Sequence, residues 1–163
     1  MPVSLNFKPF IATAMLTAAM TTALASCSAF KPDYIDCPSI KAVAGADDIN
    51  TRGILIKQDV TARINGHSAR CVGTNDGGVA MELELGLMLK RDFASGFKVE
   101  EVPIDVALAF LDKDDQPVGR ITERRNAFFP DYSDKSRPTF IMNFDVPANT
   151  RVLIGISHVY GEE

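Results

Sequence analysis

Hydrophobic residues recur at every second position along most of the chain after residue 37. Val79, Met81, Leu83, Leu85, Leu87 and Leu89 alternate with Glu82, Glu84 and Lys90. A strict period of two puts the first set on one face of a strand. Met, Leu and Glu favour a helix by propensity, but a helix would spread those six residues around its circumference, so alternation decides for a strand over 79–90. Val102, Ile104, Val106, Leu108 and Phe110 predict a second long strand over 102–111. Phe140, Met142, Phe144 and Val146 predict another over 139–146, and Val152, Ile154 and Ile156 a last one over 151–160. A return strand is expected at 118–123, after a turn at 112–117.

The first part of this region is less regular. Residues 39–44 form a short candidate strand, broken by Asp47-Asp48-Ile49-Asn50. Residues 54–64 alternate through Val60, Ala62 and Ile64 and meet Asn65-Gly66, a strong hairpin signal between two such runs. The returning strand carries Cys71, and Asn75-Asp76-Gly77-Gly78 and residues 147–150 supply further turns. The longest loop is expected at 126–138. With about seven or eight strands and no helical pattern after residue 37, the expected fold is an antiparallel β-sandwich resembling immunoglobulin or fibronectin type III domains. The absence of Trp argues against an antibody-type domain. A small closed barrel is the second architecture.

Before residue 37 the pattern changes. Lys8 and the amino terminus are followed by an uncharged stretch from Pro9 to Phe30, apolar over residues 10–24. That is the length of a signal-peptide core rather than of a full membrane span. It ends in Leu24-Ala25-Ser26-Cys27, which resembles the lipobox of bacterial lipoproteins. The resemblance implies cleavage before Cys27, a diacylglycerol on its thiol and a periplasm-facing membrane anchor; an uncleaved transmembrane anchor is the competing reading. Ser28, where many inner-membrane lipoproteins carry Asp, favours the outer membrane. Together with the short spacer 28–36, Cys37-Pro38 and Cys71, the motif resembles small alphaproteobacterial envelope lipoproteins of unassigned function. The resemblance brings no catalytic residues. It divides the chain into a signal peptide at 1–26, a tether at 27–36 that spans about 30 Å when extended, and a β domain at 37–163.

With Cys27 lipidated, Cys37 and Cys71 are an even pair in an oxidising compartment and are expected to form a disulfide. It would close a loop of about 35 residues and contribute roughly 3–4 kcal/mol. Two free thiols or a metal pair are the alternatives.

Seventeen basic and 21 acidic residues give a net charge of −4. That balance argues against nucleic acid or anionic headgroups as bulk partners. No cofactor pattern is present. Asp112, Asp114 and Asp115 lack the ligand spacing of a calcium loop, because Pro117 and Gly119 follow too soon, and read as a solvated hairpin tip. His67 and His158 are the only histidines. His158 lies in phase with Ile154 and Ile156, as a core or rim histidine does. No serine triad or catalytic carboxylate pair has a useful spacing.

Arg120, Arg124 and Arg125 form a local basic cluster directly before Phe128, Phe129 and Tyr132. Arginine beside exposed aromatics is the composition of an interface hot spot. The alternative is a solvated strand end followed by aromatics that close the core. Phe93 and Phe97 in the 91–98 segment are a lesser candidate. The expected function is a non-enzymatic, lipid-anchored periplasmic sandwich that binds an envelope protein. A small-ligand or cell-wall-binding module is the alternative.

Overall fold

The computed structural model describes residues 33–91, 98–130 and 132–158. The expected signal peptide and Cys27 lie outside them, as do Phe93 and Phe97. Two sheets pack face to face as the sandwich that the alternation predicts. Ten strands are described: β1 (Tyr34–Ile35), β2 (Ile40–Ala42), β3 (Asp48–Arg52), β4 (Asp59–Gly73), β5 (Val79–Arg91), β6 (Glu100–Leu111), β7 (Pro117–Phe129), β8 (Lys135–Ser136), β9 (Thr139–Val146) and β10 (Arg151–His158). In the first sheet β4 and β5 lie at the centre; β1 and β3 join the free side of β4, and β8 and β9 join that of β5. The second sheet has the order β2-β10-β6-β7. Its β2–β10 pair is parallel, and every other pairing among the described strands is antiparallel.

The core is the set of residues that alternation selects. Met81, Leu83, Leu85, Leu87 and Leu89 from β5 face Val102, Ile104, Val106, Leu108 and Phe110 from β6, with Val152, Ile154 and Ile156 from β10 beside them. Burying each such side chain contributes about 1.5–3 kcal/mol. The expected disulfide is present: Cys37 and Cys71 are bonded, with Cα atoms 5.3 Å apart. It fixes the segment after β1 to the buried face of β4.

Three local expectations are corrected. Asn65-Gly66 does not turn the chain. Residues 59–73 form one continuous strand with a β-bulge between Ile64 and Gly66, where Gly66 takes φ 130°. The bulge explains why the inward positions change from Val60 and Ala62 to Ala69 and Cys71: one inserted residue moves the pattern to the other parity. The break after the first short strand is present but falls at 43–47; Asp48 to Asn50 belong to β3, an edge strand paired with β4. The return strand β7 does not stop at Glu123 but runs to Phe129, so much of the expected 126–138 loop is β structure.

The ladder registers define two poles. Tyr34 pairs with Val72, so β1 enters from the end that carries the 74–78 turn. The 112–116 and 147–150 turns lie at the same end, joined by the Arg151–Asp115 ion pair. This is the entry pole. The segments 53–58, 98–99 and 132–134 gather with Pro130 at the opposite end, the far pole.

Candidate functional site: the far pole and its two buried charges

Only two charged residues are buried among the described ones, Arg91 and Glu100, and both stand at the far pole. Each continues the inward phase of a strand. Arg91 is two residues beyond Leu89, and Glu100 is two residues before Val102. Among the described residues neither ion-pairs with another side chain; each binds backbone instead.

The Glu100 carboxylate gathers N–H groups. Oε1 accepts from Leu55 at 2.7 Å and from Glu101 at 3.0 Å, and Oε2 accepts from Ile56 at 3.1 Å and Gln58 at 3.4 Å. Hydrogen bonds to an ionised acceptor are roughly twice as strong as neutral ones, so they offset the desolvation of the charge. The 53–58 loop is thereby wrapped around one carboxylate. Its ends are closed by Gly53 N–H to Gln58 O and Ile54 N–H to Glu101 O, both 2.9 Å.

Arg91 does the converse and gathers carbonyls. Its guanidinium donates to Lys98 O at 2.6 Å, Ser133 O at 2.8 Å and Pro130 O at 3.2 Å. It also lies 4.7 Å from the centroid of the Phe129 ring, a cation–π contact. One side chain therefore ties together the segments on either side of β6 and β7. The planar, five-donor guanidinium suits this role as an ammonium does not.

These clasps hold apolar side chains in solvent. Ile54, Leu55, Val99, Phe128 and Tyr132 are all exposed at the far pole, Leu55 at 57%, Phe128 at 54% and Tyr132 at 78%. Ile54 and Phe128 flank the same residue: Glu101 pairs with Phe128 in the ladder and accepts the Ile54 N–H. At the base of the 53–58 loop lies a cleft of about 640 Å³ lined by Asn50, Thr51, Arg52, Asp59, Val60, Thr61, Lys90 and His158. Arg52 and Asp59 ion-pair across its rim at 3.0 Å.

The patch expected from sequence is divided. Phe129 is fully buried and Arg91 covers it, so it belongs to the core and offers no surface to a partner. Arg124 is exposed but paired with Asp105 at 3.1 Å. Arg125 points inward at the sheet edge, where it pairs with Glu123 and donates to Ile141 O. Arg120 and Phe128 share the outer face of β7 but stand eight residues apart in a strand, roughly 27 Å at 3.3–3.4 Å per residue. The physical reason is the longer strand: an extended chain separates residues that a loop would have clustered. Phe128 and Tyr132 instead join Ile54, Leu55 and Val99, which the sequence reading did not single out.

Elsewhere the polar groups serve local structure. Asp112 Oδ1 accepts the N–H groups of Asp114 and Gln116, both at 2.9 Å, within its turn. His67 and His158 lie on strands of different sheets. Arg70 binds Glu82 on the outer face of the first sheet, and that hydrogen bond raises its pKa above the usual value. No helix among the described residues is long and apolar enough to cross a membrane. Compared with known proteins, the chain matches no family model, no curated protein and no solved structure.

Proposed function

We propose that this protein is a lipid-anchored, non-catalytic module of the bacterial envelope that faces the periplasm, with the outer membrane as its favoured location, and docks a protein partner through its far pole. The lipobox resemblance at Cys27 supports the anchor. The placement of β1 supports the orientation: a chain tethered just before Tyr34 presents the entry pole to the bilayer and the far pole to the periplasm. With β1 in the sheet, the spacer from residue 28 to 33 reaches at most about 20 Å, so the domain stands close to its anchor.

The observation that carries the docking reading is the expenditure of two buried charges on loop geometry. A buried guanidinium and a buried carboxylate are costly, and hydrophobic replacements often stabilise a fold. Here they fix the backbone of three segments whose large apolar side chains point into water. Rigid, exposed apolar groups are what an interface needs and what a stand-alone fold avoids.

The test is partner capture in cells. Full-length protein is crosslinked in intact envelopes, and the species joined to it are compared for wild type, Leu55→Asp with Phe128→Asp, and Ile141→Asp as an exposed control on another face. The proposal expects loss of the crosslinked species only for the far-pole pair. Unchanged crosslinking for that pair contradicts it. A parallel fatty-acid labelling of wild type and Cys27→Ala addresses the anchor: equal labelling of the two removes it.

A further inference from the structure

Charge at the two poles is unequal. Around the 74–78, 112–116 and 147–150 turns stand Asp76, Asp112, Asp114, Asp115 and Asp145, against Lys113 and Arg151. The far pole carries the opposite surplus: Lys57, Lys90, Lys98, Lys135 and Arg137 are exposed there, and none has an ion-pair partner among the described residues. Four acids stand against these five cations, Asp59, Glu100, Glu101 and Asp134, and two of the four are engaged. Glu100 is buried on backbone N–H groups, and Asp59 is paired with Arg52.

Lys90 and Lys135 sharpen the asymmetry. They are direct partners in the β5–β8 ladder, so both ammonium groups stand on the same outer face. Like charges directly opposite in a sheet repel, and neither lysine has an ion-pair partner among the described residues. Next to Lys90 on the same face is Thr61, whose hydroxyl donates to Asn50 Oδ1 at 3.1 Å. Lys90, Thr61 and Asn50 line the cleft at the base of the 53–58 loop, and that loop carries the exposed Ile54 and Leu55. The lysine pair of the sheet face and the aliphatic side chains of the loop are thus both presented at the far pole.

Resting on the docking reading above, we infer that the partner presents an acidic peptide segment, its carboxylates over Lys90 and Lys135 and at the mouth of the cleft, its aliphatic side chains against Leu55. Charge complementarity selects an acidic occupant over a neutral glycan, and the exposed aliphatic side chains together with the chain's net charge of −4 select a peptide over a nucleic acid. Over an anionic bilayer it is selected by position, because a chain anchored at the entry pole turns this face away from its own membrane. Electrostatic complementarity here sets specificity and association rate, with the apolar contact slowing release.

The experiment uses the full chain in nanodiscs of neutral lipid. Three probes are titrated: a synthetic peptide of repeated glutamate and leucine, the same peptide with glutamine for glutamate, and vesicles of phosphatidylglycerol. The inference expects the glutamate peptide to bind about tenfold or more tighter than the glutamine peptide at low salt, with the preference falling as ionic strength rises. Lys90→Glu with Lys135→Glu should abolish the preference; both side chains are exposed, and Lys90→Gln is the milder variant should that pair misfold. Equal binding of the two peptides, or a preference indifferent to these variants, overturns the inference. So does binding to the vesicles without binding to the peptide, which assigns the face to a lipid surface. If crosslinking in cells is lost with Leu55→Asp and Phe128→Asp yet kept with the charge reversals, the docking reading stands and the acidic partner falls.

Discussion

A Cβ atom on Gly53 would lie 2.0 Å from Cδ of Glu100. No side chain fits between them, so the residue that opens the 53–58 loop has to be glycine while the carboxylate occupies its place. The need is for space, since Gly53 is not in the left-handed region.

Two substitutions test this relationship. Gly53→Ala should displace the carboxylate and free the loop. Glu100→Gln keeps the size but turns an amide donor toward backbone donors, and should cost about 1–3 kcal/mol. The double variant should cost less than the sum of the singles, because both act on one contact. Chemical denaturation checks it; simple additivity counts against a shared cause.

Arg91→Lys should lower stability by roughly 1–3 kcal/mol despite keeping the charge, because an ammonium cannot reach three carbonyls in a plane and stack on Phe129. Phe129→Ala should cost about 3–5 kcal/mol as a core deletion. Thermal melts of the two check both. Hydrogen exchange should show the loss for Arg91→Lys concentrated near residues 98–99 and 132–134.

Reduction or Cys37→Ser should cost about 2–5 kcal/mol. Intact mass with alkylation, before and after reductant, reads the bond directly. Two alkylatable thiols in the unreduced domain would contradict it.

Asp76 supplies a pH dependence. The Thr74 hydroxyl first, and then the Gly78 N–H, hold its carboxyl below the usual carboxylate range. A depressed folded pKa stabilises above the unfolded value, about 3.9 for Asp, and this contribution fades as pH falls through the folded value. The stability difference between wild type and Asp76→Asn should thus be constant above about pH 5 and shrink in acid. A difference that grows in acid would have the wrong sign.

The long strands were legible because both sheets bury one face, and period two then marks every core position from Met81 to Leu89 and from Val102 to Phe110. The bulge at Ile64 was legible only as a change of parity between Ala62 and Cys71, which Asn65-Gly66 disguised as a turn. The short strands β1, β3 and β8 carry too few residues to show a period; pairing partners distant in sequence create them. The site was hidden by a rule that usually holds: charge ends a buried strand. Arg91 and Glu100 continue the inward phase of β5 and β6, and extending the period past the last apolar residue would have found them. What they bind could not be read, because their partners are backbone atoms and any sequence has those.

If the far pole is the docking face, a partner in the cell touches it and leaves the other faces free. The direct measurement is site-resolved photocrosslinking in cells, with a photoreactive residue placed in turn at Leu55, Val99 and Phe128 on the far pole and at Asp114, Val118 and Ile141 elsewhere. Docking at the far pole predicts one shared crosslinked species from the three far-pole positions and its absence from the other three. Crosslinks of equal strength from both sets, or from the second set alone, would contradict it.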